Sequence, residues 1–513
     1  MGALFSLPPL PSFVKHQETI PPLSEPLLRQ PTSRAGSRFI DLALVVLTTG
    51  LGCWFWLYFF GFGRLSLTLE DWPMHGYYLN IGRLSLTHGT LPWVVNWSSQ
   101  GTDRFLANPE TYISPLLLLL PWVSNGWFVA LEVCLSFGIG VWGWWVLKGE
   151  MNWSRLTFVV AVVVASFNGY IVSRLAVGHL MWCGYFLSPW VLFGIHRMLI
   201  SPDRRLCWAP LSFAFFALFL FGSFHIAIWW FLFLGIACLA QPRLLVPASA
   251  AVLSACAMAC FRILPAIVFL HERSAFLTGY PSLEMLVRGF TKTQAYRPTP
   301  RAWGPEILGW WEYDHYVGWA VVVFVVFFTA VILLFWRRQT PFVRPITAAS
   351  LGMAVLSYGS IYSWVYSLPL VIFRSERVSS RFICLSFLGF LWIALTGLER
   401  AQRGRFGFAA KFCAVLVLPF ALHSAWVHAQ LWLLPRLEST TPFSWYYSRL
   451  QTLVPAIVAT GNERDYQAIV LGSLVFSFLS FLVLSALYFP PTGRLLFDRW
   501  RRRTAHASRR ADL

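Results

Sequence analysis

Long apolar stretches alternate with shorter polar ones along almost the whole of this chain. About twelve apolar windows lie between Ile40 and Phe489, and a helix needs about 20 such residues to cross the hydrocarbon core of a bilayer. We place the windows at 40–61, 115–147, 156–173, 181–199, 207–222, 224–240, 245–270, 317–336, 345–366, 382–398, 408–430 and 467–489. The pattern predicts an all-α, polytopic transmembrane bundle of about 12 spans.

The polar stretches between the windows are of two kinds. Short ones carry Lys and Arg, which favour the cytoplasmic side of a membrane. We therefore predict that both termini are cytoplasmic. We also predict that the first long segment forms helices at the outer membrane interface. The long segments, all predicted to be external, are 62–114, 271–316 and 431–466.

The ends of the chain differ from its middle. Residues 1–39 are polar and rich in Pro, without a basic start followed by an apolar region, which predicts an uncleaved signal anchor in the first span. Residues 490–513 form a basic tail that we place in the cytoplasm. The transmembrane domain is predicted over 40–489.

Composition agrees with a membrane protein. Hydrophobic residues make up 57% of the chain and charged residues 12%, whereas soluble proteins have about 25% charged residues. The net charge of +18 is explained by basic cytoplasmic loops and by attraction to anionic lipids, so we expect no nucleic-acid partner. All nine Cys lie within or at the ends of apolar windows, which is typical of packing residues.

The first long segment gathers carboxylates in a chain that has few of them. Four of the 22 acidic residues lie there: Glu70, Asp71, Asp103 and Glu110. Ionisable clusters in membrane proteins are typical of functional sites. We therefore interpret Asp71, with Glu70 beside it, as the catalytic carboxylate, and Asp103 and Glu110 as substrate-binding residues.

Several roles are open to Asp71. It is suited to act as a general base on a hydroxyl acceptor, or to hold a divalent cation such as Mg²⁺ or Mn²⁺ beside a phosphate. The alternative is an ordinary loop acid or a helix cap. His75 follows four residues later, which would place it on the same helical face and makes it a candidate for substrate binding.

Some cationic residues lie where positive charge is unfavourable, within an apolar run or on the predicted outer side of the membrane. Arg262 interrupts the apolar run ACFRILPAIVF; it would clamp a phosphate, snorkel to the interface or pair with a helix carbonyl. Arg374, Arg377 and Arg381 form a basic outer turn around Glu376. They would bind an anionic head group or pair with the external acids.

Three further residues complete the candidate site. His179, after Gly178, would hydrogen-bond a sugar, ligate a metal, or be a capped or core-facing histidine. Glu312 and Asp314 form a second external acidic group, which we predict to contact the substrate.

Short motifs in the same order along most of the chain resemble a known family. In the first loop they are Asp71, the GTLPW segment 89–93, Gly101, the ANP segment 107–109 and Pro115. Looser matches are GHL at 178–180 before Pro189-Trp190, EYDHYVG at 312–318 and RVSSRF at 377–382. Together they resemble YfhO-like bacterial membrane glycosyltransferases, which belong to the GT-C superfold.

The resemblance implies a multi-pass enzyme of the cytoplasmic (inner) membrane. Its donor would be a polyprenyl-phosphate-linked sugar, its activity hexosyl or pentosyl transfer, and its surroundings membrane lipids with a possible membrane protein partner. Asp71 matches the family's first-loop acid, used as catalytic base or metal ligand. Two other functions stay open: a non-catalytic scaffold subunit of a larger complex, and a transporter or flippase for a lipid-linked saccharide.

Overall fold

The computed structural model describes most of the chain. By its internal contacts the chain divides into two units, Met1–Leu44 and Val45–Leu513. In the first unit the described residues form the beginning of a helix. The described residues are 34–64, 70–89, 95–97, 101–109, 111, 113–202, 206–269, 277–294, 309–334, 342–368, 376–438 and 464–489.

Helices dominate the described residues. A short antiparallel hairpin pairs β1 (Val95–Trp97) with β2 (Gly101–Asp103). The helices are α1 (Arg34–Phe59), α2 (Trp72–His88), α3 (Asn125–Met151), α4 (Arg155–Ser166), α5 (Gly169–Ala176), α6 (Ser188–Ile200), α7 (Ala209–Leu220), α8 (Phe224–Ala240), α9 (Leu245–Met258), α10 (Cys260–Phe269), α11 (Leu283–Thr291), α12 (Trp319–Leu334), α13 (Val343–Leu356), α14 (Gly359–Tyr366), α15 (Ile383–Arg403), α16 (Gly407–Glu438) and α17 (Arg464–Tyr488).

Several of these helices are long and apolar enough to cross a membrane. Among the described residues six pass by length and composition, and α9 with α10 adds a seventh if the pair, bent by 79°, forms one span. The six are Phe39–Phe59, Asn125–Met151, Arg155–Ala176, Ser379–Arg403, Gly407–Leu433 and Arg464–Tyr488. The protein is therefore a helical membrane protein.

All twelve predicted windows coincide with helical structure, but not all form a single long helix. The second window begins with a short turn, Pro115–Leu119, before α3. The pairs α7 and α8, and α12 and α13, are shorter apolar helices of 12–17 residues. Twelve membrane crossings stay a prediction.

Local sequence sets the starts of the central helices. Ser124, Ser154 and Asn168 precede α3, α4 and α5, and each side chain accepts a hydrogen bond from a backbone N–H of the first turn. Such caps satisfy N–H groups that have no partner within the helix. Three consecutive helices therefore begin where short polar residues interrupt the apolar pattern.

The core lies around α4, α5 and α15. In the most apolar window of Arg155–Ala176, 83% of the residues are buried, and in that of Ser379–Arg403, 94%. The corresponding values for Gly407–Leu433 and Arg464–Tyr488 are 28% and 22%, as expected of helices that present apolar faces to lipid. A polar side chain at an end of α4, α5 or α15 is therefore held in the interior of the protein.

One end of α15 carries a polar network with basic surroundings. Glu399 Oε2 accepts from Ser154 N at 2.7 Å and from Thr157 Oγ1 at 2.8 Å, and Oε1 accepts from Arg403 Nε at 3.1 Å. Arg197, near the end of α6, pairs with Glu150, near the end of α3. The candidate site residues lie at the other end of α15.

Candidate active site

Asp71 lies at the start of α2, where the end of α5 holds it in place. Its backbone N–H donates to Val177 O at 2.9 Å, and the indole Nε1 of Trp72 donates to Ala176 O at 3.0 Å. Gly178, at φ +100°, permits this approach, because a Cβ there would lie 2.3 Å from Trp72 N. The segment that follows α5 therefore fixes the position of Asp71.

We expect Gly178→Ala to damage this contact. A non-glycine residue at such a φ costs about 1–3 kcal/mol, and the added methyl group has no room. The variant should unfold at a lower temperature in detergent and lose activity with it. Gly235→Ala is the matched control, since nothing lies within 4 Å of its Cβ position; equal stability of the two variants would contradict the prediction.

The Asp71 carboxylate pairs with His179. Oδ2 lies 2.8 Å from His179 Nε2; the imidazole is buried, while 48% of the Asp71 side chain is exposed. Burial raises the pKa of Asp71, but the hydrogen bond from His179 together with the electrostatic attraction of His179 and His75 outweighs it, and the pKa lies below its usual value. Burial also lowers the pKa of His179, so near pH 7 we assign a neutral imidazole that donates to a carboxylate. Asp71 Oδ1 accepts no hydrogen bond from any residue in the described ranges.

His75 lies one helical turn after Asp71. Its backbone N–H donates to Asp71 O at 3.1 Å, and its ring is buried with neither nitrogen hydrogen-bonded to a described residue. Burial lowers the pKa of His75 to about 4, although the Asp71 charge opposes this. His75 is therefore a neutral, buried neighbour of the carboxylate.

The His75 pKa predicts a pH dependence of stability. The unfolded imidazole has a pKa near 6.5 and the folded one about 4, so the unfolded state binds more protons between these values. The free energy of unfolding should therefore fall by about 3 kcal/mol as the pH drops through this window. His75→Phe should make the fall shallower in detergent unfolding experiments, and His88→Gln, at an exposed histidine, should not; an unchanged slope in His75→Phe would contradict the assignment.

Behind Asp71 and His179 lies a buried chain of alternating charges. Arg174 Nη1 is 2.5 Å from Glu312 Oε2, and Arg381 donates to both Glu312 oxygens at 2.6 and 2.8 Å. Arg381 Nη1 lies 3.4 Å from Glu376 Oε1. Arg174 belongs to α5, and Glu312 lies in the turn before α12. Arg381 lies in the turn before α15, and Glu376 in the segment before that turn.

Neighbouring charges keep both buried glutamates ionised. Burial alone would raise the pKa of Glu312, but the charges of Arg174 and Arg381 outweigh it and hold the pKa well below its ordinary value. Burial would likewise raise the pKa of Glu376; the charges of His225 and Arg381 lower it to about 2. A buried charge of this kind is tolerated only when it is paired.

The far end of the chain is a second carboxylate–imidazole pair. Glu376 Oε2 lies 3.0 Å from His225 Nδ1 and accepts from Trp229 Nε1, also at 3.0 Å. Glu376 Oε1 accepts the backbone N–H groups of Arg377 and Val378 at 2.9 Å. Glu376 is almost fully buried, whereas 30% of the His225 side chain is exposed.

Trp182 joins the two carboxylate–imidazole pairs. Its ring centroid lies 6.1 Å from that of His179 and 5.8 Å from that of His225. The guanidinium carbons of Arg174 and Arg381 lie 5.6 and 5.2 Å from the same ring, within the range of cation–π attraction. One indole thus borders both ends of the charged chain.

Arg262 pairs with groups of the first long segment. It is buried, and its Nη1 donates to Leu106 O at 3.3 Å and to Thr111 Oγ1 at 3.0 Å, while Nη2 donates to Asn108 O at 3.3 Å and to Thr111 O. Among the alternatives for Arg262, pairing with carbonyls therefore accounts for its burial, with loop carbonyls in place of helix ones. It ties the first long segment to α10.

Asp314, Glu70 and Arg377 were also predicted as site residues, and the structure describes each of them. Asp314 is buried, accepts from Tyr316 N at 3.0 Å and lies 3.1 Å from His428 Nε2. Glu70 adopts a left-handed backbone conformation with φ +47°. Arg377 is exposed.

The remaining predictions fall on less fully described positions. Asp103 ends β2, opposite Val95. Glu110 and Arg374 lie outside the described residues. In the first long segment α2 is not simply interfacial, because Trp72, Tyr77 and Ile81 are buried in the protein.

Sequence reasoning missed Arg174. The available signal was a cation in the apolar segment GYIVSRLA, the same signal that singled out Arg262. His225 and Glu376 were visible as ionisable residues near apolar windows, but nothing in their spacing showed that they meet.

The described residues contain no group of three or more His, Cys, Asp or Glu side chains arranged to hold a metal ion. Asp71 has one carboxylate oxygen on His179, and His75 and His179 contribute only buried nitrogens. The metal-ligand role of Asp71 stays a prediction.

The fold and the site define a helical membrane protein with a half-exposed carboxylate placed over a buried network of paired charges. No protein-family model matches the sequence, and no curated protein matches it significantly. The more specific assignment therefore depends on the chemistry of the site.

Proposed function

We propose that this protein is a membrane glycosyltransferase that moves a sugar from a polyprenyl-phosphate donor to a hydroxyl acceptor. The observation that carries the proposal is Asp71, whose Oδ2 is held by His179 and whose Oδ1 accepts no hydrogen bond within the described ranges. An ionised carboxylate with one oxygen fixed and a half-exposed side chain is suited to general-base catalysis.

In the proposed step Asp71 accepts the proton of the acceptor hydroxyl. The hydroxyl oxygen forms the new bond to the anomeric carbon, and the bond from that carbon to the phosphate oxygen breaks. The electron pair leaves with the polyprenyl phosphate, which gains one negative charge. The transition state therefore needs positive charge or hydrogen-bond donors on the leaving side.

The buried charges near Asp71 support this chemistry by positioning. Arg174 and Arg381 are each paired with carboxylates, so they keep the region close to neutral and rigid. Electrostatic catalysis requires groups that do not rearrange during the reaction. The chain Arg174–Glu312–Arg381–Glu376 meets that requirement, because its members come from separate helix ends and hold them together.

We also propose the GT-C architecture, about twelve crossings, and the cytoplasmic (inner) membrane with both termini inside. The distribution of charge supports this orientation. Lys148, Arg155, Arg400 and Arg403 lie at the ends of α3, α4 and α15 opposite the candidate site, and basic residues favour the cytoplasmic side. Asp71 then faces the outer side, where a lipid-linked sugar would meet its acceptor.

The test is release of polyprenyl phosphate from labelled donors. Purified protein in lipid nanodiscs is incubated with a panel of polyprenyl-phosphate-linked hexoses and pentoses and with membrane extract as a source of acceptors. We expect release from at least one donor, with the label appearing in a new product. Movement of an intact lipid-linked saccharide across liposomes without cleavage would instead show a flippase.

A further inference from the structure

We infer that α11 and α14 lie on the surface of the membrane, each with an apolar face in contact with phospholipid and a polar face in contact with water. Both helices belong to the end of the bundle that carries the candidate site. The inference does not depend on the proposed glycosyl transfer, because it is drawn from the length, exposure and residue spacing of these two helices.

The short helix α11 presents three different faces. Gly289 is buried against the segment that precedes α12, whose backbone a Cβ at this position would meet. Leu283 and Val287, one turn apart, are exposed, Leu283 at 64%. Glu284 and Arg288 are also exposed and lie about 100° further round the helix. The helix therefore turns one face to the protein, one apolar face outwards and one charged face away from both.

The same arrangement is found in α14 with other residues. Its protein-facing side carries Tyr362, which is buried. An exposed apolar stripe follows the spacing of three and four residues that places side chains on one face of a helix; its members are Ile361, Trp364 and, just after the helix, Leu368. A third side carries exposed serines, Ser360, Ser363 and Ser367. Trp364 is 80% exposed, and an exposed apolar stripe of this kind is typical of a surface that contacts an apolar partner.

Neither helix is long enough to cross a bilayer. The helix α11 has 9 residues and α14 has 8, so they span roughly 14 and 12 Å at 1.5 Å per residue, whereas the hydrocarbon core is about 30 Å thick. Helices with separate apolar and polar faces bind in the plane of the membrane interface, and Trp favours the same depth. Length and residue pattern therefore favour a position on the membrane surface.

Neighbouring apolar helices indicate the level of the two short ones. The backbone N–H of Gly318 donates to Phe290 O at 3.1 Å, so the last turn of α11 lies beside the start of α12, where Trp319 is exposed. The helix α14 begins at Gly359, just after α13 ends at Leu356. Both short helices thus lie at the ends of apolar helices, where the hydrocarbon region of a membrane meets the headgroups. Phospholipid is therefore the partner that this position offers to the apolar faces.

Two β-bridges join the short helices to each other and to the site. Tyr280, before α11, pairs with Tyr358, before α14. Thr278 pairs with Val378, in the segment that carries Glu376. The backbone that holds the buried charges is therefore connected to both membrane-surface helices.

The test measures the depth of single positions in nanodiscs that contain the full chain. A fluorescent coumarin amino acid replaces Leu283 or Trp364, and the lipid acyl chains carry bromine atoms, which quench it, either near the headgroups or near the chain ends. We expect both probes to lose most of their fluorescence with the shallow bromines and little with the deep ones. Probes at Glu284 and Ser363, on the polar faces, should keep their fluorescence in both lipids. A probe at Phe478, an exposed residue near the middle of α17, should be quenched best by the deep bromines.

Two results of this measurement would overturn the inference. Full fluorescence of the probes at Leu283 and Trp364, with quenching at Phe478 retained, would show that the apolar faces do not contact lipid. Quenching of all four probes in α11 and α14 by the deep bromines would show that these helices lie within the membrane.

Crosslinking identifies what covers the apolar faces. A benzophenone amino acid at Leu283 or Trp364 should form adducts with phospholipid, which mass spectrometry detects by the added lipid mass. Adducts with a second copy of the chain or with another protein instead would contradict the inference and assign these faces to a protein contact. Neither measurement requires transferase activity, so failure of the proposed function would leave both results unchanged.

Discussion

Replacing Asp71 with asparagine should lower the rate of sugar transfer by about 10²- to 10⁴-fold, the usual contribution of a general base. The amide keeps a hydrogen-bonding group for His179 at 2.8 Å but cannot accept the acceptor's proton. Because 48% of the side chain is exposed, removal of its charge should leave the unfolding temperature nearly unchanged. The measurement is donor cleavage under single-turnover conditions with saturating substrate.

Asp465→Asn provides the matched control, because Asp465 is an exposed carboxylate in the first turn of α17. It should transfer sugar at the wild-type rate. Wild-type activity in Asp71→Asn would remove Asp71 from the mechanism, and a parallel loss of folding would show that its role is structural.

Replacing Glu312 with glutamine should have the largest effect on folding. The carboxylate is buried and compensates Arg174 and Arg381, and breaking a buried ion pair by removing one partner costs about 3–5 kcal/mol. We expect little folded protein after detergent extraction and a clearly lower unfolding temperature in what remains. Since membrane domains are only marginally stable, activity should disappear with the fold.

Glu284→Gln tests whether the effect is specific, because Glu284 is exposed and its contact with Arg288 is a surface pair at 3.9 Å. It should cost well under about 1 kcal/mol. The double variant Arg174→Met with Glu312→Gln should recover part of the loss, since it removes a buried cation that the single variant leaves uncompensated. A double variant less stable than Glu312→Gln would contradict this account of the network.

The helices of this protein could be predicted from its sequence because nearly every one is an apolar run bounded by polar residues. Their breaks could not. The 79° bend between α9 and α10 lies at Ala259, where the sequence ACAMACFR has neither Gly nor Pro. Such a bend is set by packing against other helices, which a single sequence does not show.

The site could be predicted only in part, because the sequence shows its charged residues but not which of them meet. Asp71 and His179 stood out because ionisable residues are rare in this chain, but they are 108 residues apart, and their pairing depends on the close approach at Gly178. Glu312 was predicted to contact the substrate, and Arg381 either to bind an anionic head group or to pair with the external acids. The structure shows the second alternative for Arg381, which hydrogen-bonds to Glu312 across 69 residues. Composition identifies charges that need partners; only the fold says which partner each one has.

Carboxylate networks at both ends of α15 bear on how a substrate enters. Glu312 and Glu376 hold Arg381 at its start, and Glu399 ties its end to Ser154 at the beginning of α4. A shift of α15 along its axis would break charged contacts at both of its ends at once. We therefore expect α15 to stay in place when a substrate enters. In the proposed glycosyl transfer, lateral opening for the lipid tail would therefore fall to α16 and α17, whose apolar windows are less buried.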